Sequence, residues 1–376
     1  MAKIVFWLGA APEPWDPLTA LETGIGGSET AAIHMSRQLA LLGHEVTVYS
    51  DYPSQFIDAD DEGQFPHTVD VEWRDYRSYG EGDRSCDLFI SSRQPEARRK
   101  LLPRCRQAWL WMHDLHCGPD WDNVIGTDYD RVLCLSNWAK ERFVAYYPGV
   151  DASKIFVSSN GLDLSLFENG MLRAGNQHVA PVARATISFR AASPLRVTWS
   201  SSPDRGLDRL LDFWPKIYEQ YGSNARLQVY YGFATWKRLA TLHGLTGEMS
   251  RIALLEGRLA SMADQGVVFH GRRGQQEIAQ SYLLSELWLY PTSFEEISCI
   301  TAMEAQAAGC KIVATRCGAL PETAPGAWFV EGPTNTKDYE KRFLESVHEA
   351  LLDDSVFVKT PRTWRQVAEE WNGWLP

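Results

Sequence analysis

The 376-residue sequence has no apolar run near the roughly 18 residues that cross a bilayer. Its apolar opening, residues 4–8, is too short for a signal peptide and gives way to a polar, proline-bearing loop. No transmembrane segment is therefore expected, while peripheral attachment stays open. The seven cysteines (Cys86, Cys105, Cys117, Cys134, Cys299, Cys310 and Cys317) include no C-x-x-C pair and are odd in number. That argues against a disulfide framework and a structural zinc site, and it fits a reducing cytoplasm. An excess of positive charge is missing too. Lys and Arg number 37 against 48 Asp and Glu, a net charge of −11, which disfavours a general polyanion binder apart from local patches. Tandem repeats and low-complexity tracts are absent.

What is present is alternation. A chain of this length is expected to form two domains. In the first half, short apolar strands are expected at 4–8, 45–50, 87–91, 108–112, 131–135 and 155–158. Between the first two lies a helix with Ala32, Met35, Leu39 and Leu42 on one face, stopping at Gly43. The rhythm lapses over 168–190, a stretch rich in Gly, Asn, Ala and Arg. It resumes with strands at 195–199, 227–231, 267–270, 287–290, 311–314 and 327–330. The helix after Asp204 carries Leu207, Leu210, Leu211, Trp214, Ile217 and Tyr218 on one stripe. The 15 tryptophans are many for the length, and most are expected in cores. These patterns predict an α/β protein of two facing Rossmann-like domains with parallel sheets. The expected boundaries are 1–167 and 191–362, joined by a 168–190 linker, with a terminal helix in 363–376 as a candidate to pack back on the first domain. Ligands are expected beyond the carboxyl ends of the strands.

The most informative stretch runs from Pro291 to Gly309 and follows a strand directly. Ser298 is placed to cap a helix that ends at Gly309, with Glu296 just ahead of it and Glu304 in its second turn. The amides near Cys299, Ile300 and Thr301 would then be unpaired, an anion site favoured by the helix dipole. A diphosphate there would have a carboxylate beyond each end. Glu296 could accept sugar hydroxyls and Glu304 the ribose hydroxyls. The plain alternative, an amphipathic helix with solvated glutamates, is outweighed by the ordered context: the strand, Pro291, the glutamate spacing, Gly309, the next strand, then Gly318 to Glu322.

This E-x7-E pattern followed by A-x-A-x-G resembles the signature of retaining glycosyltransferases of family four, which have the GT-B fold. The resemblance implies that Glu296 contacts the transferred sugar and Glu304 the ribose. It makes 1–167 an acceptor domain and 191–362 a nucleotide-sugar-binding domain. Other segments resemble the same family, so the likeness covers nearly the whole chain. Gly24 to Glu29 matches its G-G-[SA]-E turn, with Gly26 and Gly27 beside the donor diphosphate and Ser28 and Glu29 towards the acceptor. Gly residues admit close approach there. His113 matches the family's histidine and would hydrogen-bond the donor sugar. The backbone at His113 and Asp114 would stabilise charge at the anomeric carbon. Ser136 lies in a matching serine turn and is an acceptor candidate, while Asn160 to Asp163 is given no catalytic role.

The family clamps the diphosphate with an arginine and, five residues on, a lysine. Arg205 stands where the lysine is expected and can serve bidentately. The first arginine is absent, with Ser200 at or near its place, and Arg272 or Arg273 could compensate. Cys299 departs from the family's usual glycine.

The implied reaction is transfer of a sugar from a nucleoside diphosphate, UDP- or GDP-linked, with retention and without metal or other cofactor. Asp58-Ala-Asp60, of the D-x-D form, falls in an acidic loop and is read as solvated. Nucleotide-sugar epimerase or phosphorylase chemistry on the same architecture is the alternative. An oxidoreductase is a further one, although Glu29 stands where G-x-G-x-x-G needs its third glycine, and a non-catalytic sugar- or nucleotide-binding module is another. The acceptor stays open among glycan, lipid and modified nucleic-acid base. Arg93, Arg98, Arg99, Lys100, Arg104 and Arg106, against the single Glu96, are read as one basic helix that is either a solvated face or a contact for anionic lipid or nucleic acid. Such a chain would be cytoplasmic, with a peripheral place on the inner face of a membrane left open.

Overall fold

A computed structural model describes residues 1–11, 15–51, 71–167, 195–353 and 361–376. The expected linker and the acidic loop with Asp58-Ala-Asp60 lie outside these residues. The chain divides into two compact units: unit 1 is Met1–Ala20, Ile25–Gly161 and Arg362–Pro376, and unit 2 is Leu21–Gly24 and Leu162–Pro361.

Unit 1 runs β1 (Lys3–Trp7), α1 (Gly27–Leu41), β2 (Glu45–Ser50), β3 (Val71–Asp75), β4 (Ser85–Ser92), α2 (Ala97–Leu101), β5 (Arg104–Trp111), α3 (Asp122–Asp128), β6 (Arg131–Cys134), α4 (Asn137–Tyr146) and β7 (Ile155–Val157). Its sheet has the order β3-β2-β1-β4-β5-β6-β7, and every recorded pairing is parallel. The edge strand β3 was not expected from the sequence. It is only half-buried on alternate residues and offers no apolar run.

Unit 2 runs β8 (Arg196–Trp199), α5 (Leu207–Tyr221), β9 (Arg226–Tyr230), α6 (Ala234–Leu242), α7 (Thr246–Ser261), β10 (Val267–Gly271), α8 (Gln275–Leu283), β11 (Leu287–Tyr290), α9 (Ile300–Ala307), β12 (Lys311–Thr315), α10 (Leu320–Thr323), β13 (Trp328–Val330) and α11 (Lys337–Leu352). The order β10-β9-β8-β11-β12-β13, again parallel, is a doubly wound Rossmann sheet. Central β11 reads Leu-Trp-Leu-Tyr and is buried along its whole length, as a strand covered on both faces requires. On α5, Leu207, Leu210, Leu211, Trp214 and Ile217 are buried in register with the expected stripe. The helix tolerates Pro215 in its interior because the stripe is anchored on both sides of it.

The final helix, α12 (Trp364–Asn372), belongs to unit 1 and begins with a capping box between Thr363 and Gln366. Trp364 stacks on His34, and Trp371 meets Trp109 and Trp111 edge-on while its Nε1 donates to Ser158 Oγ at 2.8 Å. The tryptophans of this helix are thus core residues.

Candidate functional site

Strand order dictates where to look. In a doubly wound sheet the loops leaving the carboxyl ends of the two strands at the switch point diverge and open a crevice. In unit 2 those strands are β8 and β11. The loop after β8 carries Ser200 to Arg205, and the loop after β11 carries Glu296 and leads into α9.

Two glycines let these loops approach. Gly206 has φ 110°, and a Cβ there would lie 2.6 Å from Pro291 O. Gly318 has φ 58°, and a Cβ would sit 2.4 Å from Glu296 O. Glu296 is held from several sides. Its carbonyl accepts the Ala319 amide at 2.6 Å. Its carboxylate, 4% exposed as a residue, accepts Arg205 Nη1 at 2.9 and 3.2 Å and the Tyr290 hydroxyl at 2.7 Å. Burial and the Glu296 charge push the Tyr290 phenol far above its ordinary range, so it stays protonated and donates.

Arg205 lies over Phe294, 4.2 Å from ring centre to guanidinium carbon. Burial opposes its charge, but Glu296 together with Tyr290, Asp204 and Cys299 outweighs that and raises its pKa. Arg205, expected to face the diphosphate, is engaged by Glu296 in this structure. One edge of the guanidinium is committed to Glu296, and only its remaining N–H groups stay available to an anion.

The helix itself starts later than the sequence suggested. Cys299, not Ser298, is the N-cap, and no side chain caps α9. Its first amides have no intrahelical acceptor and gain none from a cap. Ser201 Oγ meets Thr301 Oγ1 at 3.0 Å, and Cys299 Sγ meets the same hydroxyl at 3.2 Å, which ties the β8 loop to the first turn of α9. Burial and the Glu296 charge push the Cys299 thiol well up, making it an inert neighbour rather than a nucleophile. Glu304 is half-buried on the next turn, and its carboxyl group makes no hydrogen bond or ion pair among the described residues. Desolvation pushes its pKa up to about 8.

Ser200, at the place of the missing arginine, is buried and bonds the Tyr282 hydroxyl at 2.6 Å, a core contact. Arg272 follows β10, and its Nη2 donates to Thr235 Oγ1 at 2.6 Å. Arg273 pairs with Glu277 at 3.3 Å.

In unit 1 the switch point lies between β1 and β4. Gly26 is the extended N-cap of α1, and a Cβ there would fall 2.5 Å from Glu29 Oε2. Glu29 thus folds back beside the helix start at Gly27, and its carboxylate accepts from Ser28 Oγ at 3.0 Å. Unlike α9, this N-terminus already has an anion of its own. Beyond β4, Arg93 adopts φ 67°, and its Nε donates to Asp114 at 2.6 Å and its Nη1 to Ser28 Oγ at 3.3 Å. Sequence reasoning missed this Arg93–Asp114–Ser28 cluster, because only the pairing of β4 with β5 brings the two loops together. His113 lies against Trp111, centroids 4.3 Å apart, and its buried Nε2 has no partner among the described residues. Desolvation, aided by the Arg93 charge, holds its pKa down to about 3, so the imidazole is neutral. Ser136 is buried and accepts the Ala139 amide at 3.0 Å as the N-cap of α4.

The segment 93–106 is not one basic helix. α2 ends at Leu101, Leu102 turns left-handed at φ 50°, and Arg104 and Arg106 lie on β5. The charges are also matched: Arg93 with Asp114, Arg99 with Asp128, Lys100 with Glu96, Arg104 with Asp83 and Arg106 with Asp87. Arg98 donates to Pro103 O. Among the described residues, no group of three or more His, Cys, Asp or Glu is placed to hold a metal ion, and no helix is long and apolar enough to cross a membrane.

Known proteins resemble this chain at two levels, a family model over part of it and solved structures over nearly all of it. A phosphatidylinositol N-acetylglucosaminyltransferase component from Arabidopsis thaliana is 24% identical over 220 residues, which are 58% of this chain. They amount to 42% of that relative, so the match spans about two fifths of its length. Among solved structures, Anabaena HepE in complex with UDP and glucose superposes with a TM-score of 0.64 at 15% identity, covering 100% of this chain and 99% of the other. A glycosyltransferase from Rickettsia africae gives 0.64 at 14% identity over 99% and 97%. Sucrose-phosphate synthase from Thermosynechococcus elongatus gives 0.65 at 14% identity over 100% and 95%. Residues 197–352, the Rossmann sheet that carries Arg205, Glu296 and Glu304, match the model of the family Glycosyl transferases group 1, and the chain as a whole has the GT-B fold.

Proposed function

We propose that this protein is a retaining glycosyltransferase that takes its sugar from a nucleoside diphosphate sugar, UDP- or GDP-linked, held by unit 2. One observation carries the reading: an uncapped helix start stands beside the Arg205–Glu296 pair, and the same helix bears a partner-free carboxyl at Glu304. The family match over 197–352 and the UDP in the HepE complex support it.

In this reading the diphosphate meets the first amides of α9 and the uncommitted N–H groups of Arg205. Charge that builds on the leaving diphosphate is met by donors already in place. Loss of one such donor is worth on the order of 10²–10³ in rate. Glu296, fixed by Arg205 and Tyr290, presents its backbone and carboxylate edge to the sugar, and Glu304 accepts from the ribose diol. The neutral His113 imidazole of unit 1 is reserved for a substrate hydroxyl, and the acceptor is assigned to that unit. Departure of the phosphate and entry of the acceptor on one face gives retention without metal or other cofactor.

Calorimetric titration with UDP-, GDP-, ADP- and CDP-sugars tests the donor site. Because Glu304 titrates near 8 and a diol prefers the ionised form, donor binding at pH 7 is expected to release up to about one proton. Glu304→Gln should bind with no such release. Proton-independent binding in the wild type would remove Glu304 from the ribose. The anomer released on slow donor hydrolysis, read by NMR, checks retention.

A further inference from the structure

Far from the site, at the amino ends of β4 and β5, two cysteines stand side by side. Cys86 and Cys105 are direct register partners on adjacent parallel strands. Register partners in a sheet stand about 5 Å apart at Cα, within the 4.4–6.8 Å that a disulfide bridges. Both side chains point to the same face, where they border the cluster of Val5, Trp7, Tyr49 and Phe89. The two sulfurs are close enough to influence each other's ionisation. Both are free thiols in this structure. Cys86 is buried, whereas Cys105 is half-exposed near the start of β5, between the surface residues Arg104 and Arg106.

We propose that Cys86 and Cys105 form a reversible peroxide-sensitive dithiol, in which Cys105 is the attacking sulfur and Cys86 resolves it. Its chemistry follows from the neighbours. Pairing with Cys86 lowers the Cys105 pKa, burial opposes this, and the Arg98 charge assists. The pairing and burial push the Cys86 thiol up, and Cys105 is the half-exposed sulfur that a peroxide reaches first, so Cys105 attacks and Cys86 resolves. Thiolate character, access and an adjacent resolving thiol are the features of a redox-active cysteine. Cys105 thiolate attacks a hydroperoxide O–O bond, giving a sulfenic acid and releasing hydroxide or alkoxide. The Cys86 sulfur then displaces the sulfenic oxygen, which leaves with its proton as water. Two thiols lose two electrons and two protons to the peroxide. The product closes the β4–α2–β5 segment, including Arg93, into a covalent loop. The pair lies at the opposite ends of β4 and β5 from Arg93 and His113, so donor binding should be unaffected. The proposal is independent of the glycosyltransferase reading.

The test exposes the full-length reduced protein to stoichiometric hydrogen peroxide, followed by alkylation, intact mass and peptide mapping. Expected are a loss of about 2 Da, disappearance of two alkylatable thiols, and a crosslink joining Cys86 to Cys105 that dithiothreitol reverses. Cys86→Ser should instead leave a sulfenic acid at Cys105, trapped by dimedone, and Cys105→Ser should abolish the fast reaction. Cys117 or Cys317 oxidising ahead of Cys105, or both pair members staying fully alkylatable in the wild type, would overturn the proposal. The wild-type map decides even where a variant folds poorly.

Discussion

A carboxyl group that loses water without gaining a partner resists ionisation, and Glu304 is such a group. Its pKa rises from an ordinary 4.5 to about 8 in the folded protein. Below 4.5 the side chain is protonated in both folded and unfolded chains and contributes nothing to pH dependence. Between 4.5 and 8 the unfolded chain gives up the proton while the folded one keeps it. Stability therefore falls across that window as pH rises, then levels off. Glu304→Gln removes the effect. The variant is expected to match wild type in urea denaturation near pH 4 and to exceed it by about 1–2 kcal/mol near pH 9. That figure is below what the full shift converts to, because the side chain keeps some contact with solvent. Equal stabilities at both pH values would show that Glu304 is solvated after all.

Elements meet at this site through backbone contacts that a side chain would block. Gly206 starts α5 at φ 110°, with its missing Cβ 2.6 Å from Pro291 O, whereas Gly222 ends the same helix at φ 84° with nothing within 4 Å. Gly222→Ala should cost only the backbone penalty of a φ 84°, ψ 176° conformation that glycine alone adopts readily, about 1–3 kcal/mol. Gly206→Ala adds a collision between the β8 and β11 loops and should cost roughly 3–5 kcal/mol in the same measurement. Equal losses would mean the loops yield freely. Much at this scale was legible in the sequence. Buried parallel strands such as β11 are continuous apolar runs, and α5 shows its stripe despite Pro215. The placement of Glu296 ahead of α9 and of Glu304 on it was legible as well, because it is local to one strand–loop–helix segment. What failed was non-local or hinged on one dihedral. Positive φ at Leu102 splits the supposed basic helix, strand order joins Arg93 to Asp114, and Glu296 lies against Arg205 across 91 residues.

At the scale of the whole molecule, two cores in one chain need not respond alike to pH. Unit 1 contains His113, whose pKa is held down to about 3 from an ordinary 6.5. As pH falls through 6.5 the unfolded chain takes up a proton that the folded unit refuses, so this residue removes stability from unit 1 towards acid. Unit 2 contains Glu304, which removes stability towards alkali over 4.5 to 8. The two contributions run in opposite directions through an overlapping window. In a measurement on the whole chain they partly cancel and a flat profile conceals both. Hydrogen exchange resolved by strand separates them. After correction for intrinsic rates, protection of β4 and β5 should rise relative to β11 and β12 between about pH 5 and 8. His113→Gln should flatten the trend in unit 1 alone, and Glu304→Gln in unit 2 alone. If either substitution moved both units together, the two cores would be one cooperative structure, and neither group could be assigned to the stability of its own sheet.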